Sequence, residues 1–169
     1  MSVPEFQGEE IRRAARFLEG RTADFIVETL AALSRGAINS KGKRVPLANV
    51  GDQLLNVLAE CTYQTEPALV VEVFTRLAKS DEPAVRGQAW WLSTTLLGRG
   101  HEEVEQLVWE ELIHDPDIDI RADIVSYVST QIDEEGLLER YTPEARVVVV
   151  SQILSGIARG TWPRPATTE

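Results

Sequence analysis

Asp115, Asp117, Asp119 and Asp123 in the run DPDIDIRAD alternate as the first ligands of an EF-hand calcium loop do. Such a loop needs glycine at its sixth place and a bidentate glutamate at its twelfth, and Ile120 and Ser126 stand there. The aspartates are therefore expected to accept backbone hydrogen bonds in a turn that opens a helix, with no metal bound. The stretch SRGAINSKGKR sets Gly36 ahead of Gly42 and Lys43 like a phosphate-cradling loop, but the glycines lie one residue too far apart. Arg44 also stands where a hydroxyl residue would meet magnesium. His101 and His114 flank one predicted helix near opposite ends, too distant for a local catalytic pair, and neither Gly-x-Ser-x-Gly nor His-Glu-x-x-His occurs. The chain is read as non-enzymatic, with no cofactor.

Charge narrows the partner. The net charge of −10 is divided unevenly: residues 1–44 hold 8 basic and 6 acidic side chains, residues 45–169 hold 9 and 21. From 102 to 139 there are 13 carboxylates and one cation, Arg121. Phosphate backbones are held by Lys and Arg, so this region repels nucleic acid and attracts a basic protein. The exceptions are Arg12 and Arg16, one turn apart on a predicted helix, and Lys41, Lys43 and Arg44 in a loop, a basic patch suited to an anionic partner. No apolar run approaches the ~20 residues of a membrane helix. The N-terminus lacks the basic start and apolar stretch of a secretory signal, which points to the cytoplasm. Cys61 is the only cysteine and is expected to be a small core residue.

The elements that must position these residues come from a repeat. A shift of 35 residues superposes VGDQLLNVLAECT from Val50, VRGQAWWLSTTLL from Val85 and IRADIVSYVSTQI from Ile120. The apolar columns are Val50, Val85, Ile120; Leu54, Ala89, Ile124; Leu55, Trp90, Val125; Val57, Leu92, Tyr127; and Leu58, Ser93, Val128. Their spacing is that of a helix with a broad buried stripe. Between them Leu69, Val73, Phe74 and Leu77 superpose on Val104, Val108, Trp109 and Leu112, so the unit is a pair of helices. KSDEP and HDPDID offer Ser80, Asp81, Asp115 and Asp117 as caps, and LGRGHEE offers Gly98 and Gly100 as a stop with Glu102 and Glu103 as first-turn acids. Adjacent helical residues point ~100° apart. The columns therefore put Trp90 in the core and Trp91, beside Asn56 and Ser126, on the surface.

An Asp- or Pro-containing turn followed by Val-Arg or Ile-Arg and a helix, as in DEPAVRGQAWWL and DPDIDIRADIVSYV, resembles the HEAT repeat and, more broadly, armadillo-type helical repeats. Copy one departs from it, with Gly51 where the arginine falls. The resemblance covers about residues 48–159 and implies architecture alone: an all-α, short α-solenoid of stacked antiparallel helix pairs in a right-handed superhelix. The expected organisation is one domain, 1–169. Capping helices occupy 8–36, a basic loop 37–47, helix-pair repeats 48–159 and a flexible tail 160–169. The expected function is a protein-binding module or scaffold, of which an acidic inhibitor or immunity-type protein is one form. Its partner surface is assigned to Trp91, Arg86, Arg121, Glu102, Glu103, Asp117 and Asp119. The alternatives are a DNA-repair-type HEAT-like protein, which needs a basic groove, or an accessory subunit of an enzyme.

Overall fold

The structure, a computed structural model, describes residues 5–38, 41–42, 44–45, 48–133, 136 and 138–158. It is all-α but for one two-residue ribbon. Helices α1 (Glu5–Leu18) and α2 (Ala23–Arg35) come first. Strands β1 (Ala37–Ile38) and β2 (Arg44–Val45) then pair antiparallel, Ala37 opposite Val45 and Ile38 opposite Arg44. Helix α3 (Ala48–Val57) runs through a π turn, Leu58–Thr62, into α4 (Tyr63–Thr65). Next come α5 (Pro67–Ala78), α6 (Pro83–Leu96) and α7 (Glu102–Gln106). The last of these continues as a π turn, Leu107–Glu111, and a 3-10 turn, Leu112–His114. Helix α8 (Ile118–Asp133), a 3-10 turn at Leu138–Arg140 and α9 (Pro143–Ala158) complete the order. No helix among the described residues is long and apolar enough to cross a membrane.

The 35-residue period is visible in where helices begin: Ala48, Pro83 and Ile118 for one member of the pair, Pro67 and Glu102 for the other. The same contact closes two of the turns. Arg86 Nη1 donates to the Ser80 carbonyl at 2.9 Å, and Arg121 Nη1 donates to the Asp115 carbonyl, each six residues back. Side-chain caps open two of the helices. Thr22 Oγ1 accepts from Phe25 N at 3.4 Å and opens α2, while Asp117 Oδ1 accepts from Asp119 N at 2.8 Å and opens α8. Asp115 Oδ1 takes Asp117 N at 2.8 Å, so the aspartate run holds its own turn. Gly98 and Gly100, with φ of 73° and 84°, end the chain's run through α6 in the left-handed region that side chains avoid.

Two compact units divide the chain, Met1–Leu92 and Ser93–Glu169. In the first, α2 packs on α3 and α5, and α1 on α3. Ile26, Leu30, Leu58, Phe74 and Leu77 are fully buried there, each adding ~2 kcal/mol of transfer free energy. Gln88 Nε2 ties α6 to α2 through Ser34 Oγ at 2.7 Å, and Arg35 forms a two-pronged ion pair with Glu82. That hydrogen-bonded guanidinium holds the Glu82 carboxyl below its ordinary range. In the second unit the π turn after α7 packs on α9 and the following 3-10 turn on α8, enclosing Val104, Val108, Leu112, Ile124 and Ile153.

Two expectations are corrected. Cys61 is exposed rather than core. It lies in the π turn Leu58–Thr62, whose wider ring carries the chain out of α-helical phase, whereas Leu96, one repeat later in regular helix, is buried. Val50 is 44% exposed although Val85 and Ile120 in its column are buried. Its neighbour Gly51 has no guanidinium to hold the turn, and the segment before it contains the ribbon instead of a helix pair. Lys43 and residues 160–169 lie outside the described residues, as does the side chain of Arg44.

Candidate functional site

The second unit contains the site with the most built-in polar structure, and it is organised by one carboxylate. Glu105, in α7, accepts three hydrogen bonds. Gly98 N donates to Oε1 at 2.7 Å, while Trp109 Nε1 at 2.9 Å and Tyr141 Oη at 2.7 Å both donate to Oε2. Local sequence explains the geometry. Glu105 and Trp109 are four residues apart and so share a helix face, the left-handed turn at Gly98 aims its N–H inward, and the Leu138–Arg140 turn delivers Tyr141 just before α9. Charge-assisted bonds of this kind are about twice as strong as neutral ones.

Tyr141 and Trp109 are nearly buried, with 8% and 3% of their surface exposed. Burial pushes the Tyr141 phenol well above its ordinary range, and the hydrogen bond to the anionic Glu105 adds to this. Tyr127 is also raised by burial. A phenol held protonated in the fold but free to ionise when unfolded stabilises the protein below the unfolded pKa, and that contribution falls as pH rises past it. Stability is therefore expected to decline above about pH 10. Tyr141→Phe is expected to flatten that decline while lowering stability at neutral pH by ~1–3 kcal/mol, because Glu105 loses a donor. Urea titrations at pH 7 and 10.5 test this, and an unchanged alkaline slope would count against it.

Beside this hub lies an open groove of about 560 Å³. Its apolar wall is Ala145, Val148 and Val149 of α9 with Trp109 and Tyr141, and its lip carries Glu102, Gln106 and Glu110. Gln106 Nε2 holds Glu110 Oε2 at 3.2 Å. Arg140 also lines the groove and donates from Nη1 to the Thr94 carbonyl at 2.8 Å. A second hollow of about 480 Å³ shares Trp109, Glu110, Val148 and Gln152 with the first and extends to Val147, His114 and Ser155. Among the described residues no group of His, Cys, Asp and Glu could hold a metal ion.

The structure distributes the sequence-selected residues unevenly. Trp91, 38% exposed, and Arg86 belong to the first unit, and Trp90 is 5% exposed as its column requires. Glu102, Glu103, Asp117, Asp119 and Arg121 belong to the second, where only Glu102 lines the groove. Arg86, Arg121 and Asp117 serve turns, and Glu103 and Asp119 are exposed in first turns. Arg12 and Arg16 are exposed on α1, and Lys41 is exposed. Glu105 and Tyr141 escaped sequence reading. The signal for Glu105 was available: the 35-residue shift sets it on Val70, a fully buried position, so a charge interrupts an apolar column. Comparison with known protein families, characterised proteins and solved structures found no match.

Proposed function

We propose that this all-α chain is a non-enzymatic protein-binding module of HEAT-like helical-repeat type, and that its partner presents a basic surface. The observation that carries the reading is the groove of the second unit, where the exposed Val148 meets a carboxylate lip. Apolar wall and charged rim are the composition of a protein interface, with burial supplying affinity and charge supplying selection and rate. The Glu105 carboxylate has both oxygens engaged by three donors, a holding role in keeping with a preformed surface. In the first unit Trp91 offers an exposed aromatic anchor of the kind that dominates interface energetics. An inhibitor that neutralises a basic enzyme is one form of this function.

The test is capture on the immobilised chain from its source cells at low and high salt. A stoichiometric basic protein released as salt rises is expected; recovery of nucleic acid, or a complex indifferent to salt, defeats the reading. Trp91→Ala is expected to weaken that partner by about tenfold or more with little change in stability, since the indole is not core. Unchanged affinity by calorimetry removes Trp91 from the interface.

A further inference from the structure

Helix α9 carries an apolar stripe that its own unit does not cover. Val147, Val148 and Leu154 are 66%, 56% and 59% exposed. Exposed apolar residues scattered singly need no explanation, but three on two turns of one helix form a patch, and two of them, Val147 and Val148, line the hollows. The opposite lip is acidic. Glu102 and Glu110 are exposed, Glu105 lies behind them, and Arg140 is the one cation among the described lining residues. From Ala145 to Ser155 the combined hollows follow eleven residues of α9, a run of ~15 Å at the helical rise.

We infer that this groove receives a cationic amphipathic helix of a partner protein, about ten residues long, whose apolar side chains lie on Val147 and Val148 while its Lys or Arg side chains meet Glu102 and Glu110. The inference rests on the protein-binding reading and specifies the occupant. Charge complementarity selects it: an acidic or phosphate-bearing occupant meets repulsion along the lip, and a purely apolar one leaves the carboxylates desolvated and unpaired. A helix suits the trough because its side chains divide by face, as the groove walls do. The hub fixes the far wall in advance, since Trp109 and Tyr141 are already tied to Glu105, and a preformed wall lowers the ordering cost of binding.

The probe is a synthetic amphipathic Leu/Lys peptide of about fifteen residues, titrated into the full chain and compared with a Leu/Glu peptide of the same pattern and an all-Lys peptide. The Leu/Lys peptide is expected to bind alone among the three. Val148→Asp and Glu110→Lys are each expected to weaken it about tenfold, while Glu103→Lys, on the same helix but outside the groove, is expected to change it less than about threefold. Val148 and Glu110 are both exposed, so neither substitution disturbs the core, and circular dichroism checks this. Equal binding of the all-Lys peptide, or equal losses at Glu103 and Glu110, would mean diffuse attraction to acid and overturn the inference. Self-association of the wild-type chain abolished by Val148→Asp would overturn it in favour of a second copy. A natural partner kept by Val148→Asp but lost by Trp91→Ala would overturn the groove assignment and leave the protein-binding reading standing.

Discussion

Replacing Glu105 by Ala is expected to lower the stability of the second unit by ~4 kcal/mol, because it strands three donors at once. Each buried donor left without an acceptor costs ~1–3 kcal/mol, and the sum is reduced because the groove admits water to part of the site. Gly98 N, Trp109 Nε1 and Tyr141 Oη all donate to Glu105, and two of them belong to rings with almost no exposed surface. Glu105→Gln is the informative companion. One amide oxygen can still serve Trp109 and Tyr141, but its NH2 then faces the N–H of Gly98, donor against donor. A loss of ~2 kcal/mol is expected for Gln, half that for Ala. Amide exchange at Gly98 reads the effect locally: ~4 kcal/mol corresponds to about a thousandfold faster exchange. A change at Gly98 of less than about fivefold in Glu105→Ala would show that the hub does not hold the turn.

The parts of this molecule that sequence revealed are those governed by period and by local chemistry. Gly98 and Asp117 act on backbone groups within a few residues, so their roles follow from residue type and position. The columns assigned Trp90 and Trp91 to opposite environments because a straight helix keeps phase with its sequence. At one break in helical phase the reading breaks too. The π turn at Leu58–Thr62 carried Cys61 outward, and no residue type there announces a wider turn. Tyr141 was illegible for a different reason. It meets Glu105 across 36 residues, a separation that is not the repeat length, so neither local spacing nor periodicity points from one to the other. The groove inherits that difficulty: one wall comes from α7 and its continuation, the other from α9, which does not begin on the 35-residue period.

Gly98→Ala is expected to be the most damaging single methyl in the second unit. A Cβ at this position would stand 2.4 Å from the Cβ of Arg140 and within 3.4 Å of its backbone, and φ is +73°. The obstacle is the root of a side chain, so a rotamer change cannot clear it; the Leu138–Arg140 turn must move. The left-handed conformation costs ~1–2 kcal/mol and overpacking another ~1–3, giving ~3–4 kcal/mol in all. Two other glycines separate these causes. Gly100 has φ +84° and nothing within 4 Å of a Cβ, so Gly100→Ala is expected to cost ~1–2 kcal/mol from conformation alone. Gly87 lies within α6 with open space around it, and Gly87→Ala is expected to stabilise by ~0.5–1 kcal/mol. Denaturant midpoints for the three variants should fall in the order Gly87→Ala, wild type, Gly100→Ala, Gly98→Ala, and equal losses at 98 and 100 would mean that the turn gives way freely. If it instead resists, displacement of Arg140 should break its bond to the Thr94 carbonyl, and Gly98 N should be drawn away from Glu105. The groove would then loosen through its hub, so the same methyl should weaken the Leu/Lys peptide by about tenfold without touching a residue of the apolar stripe.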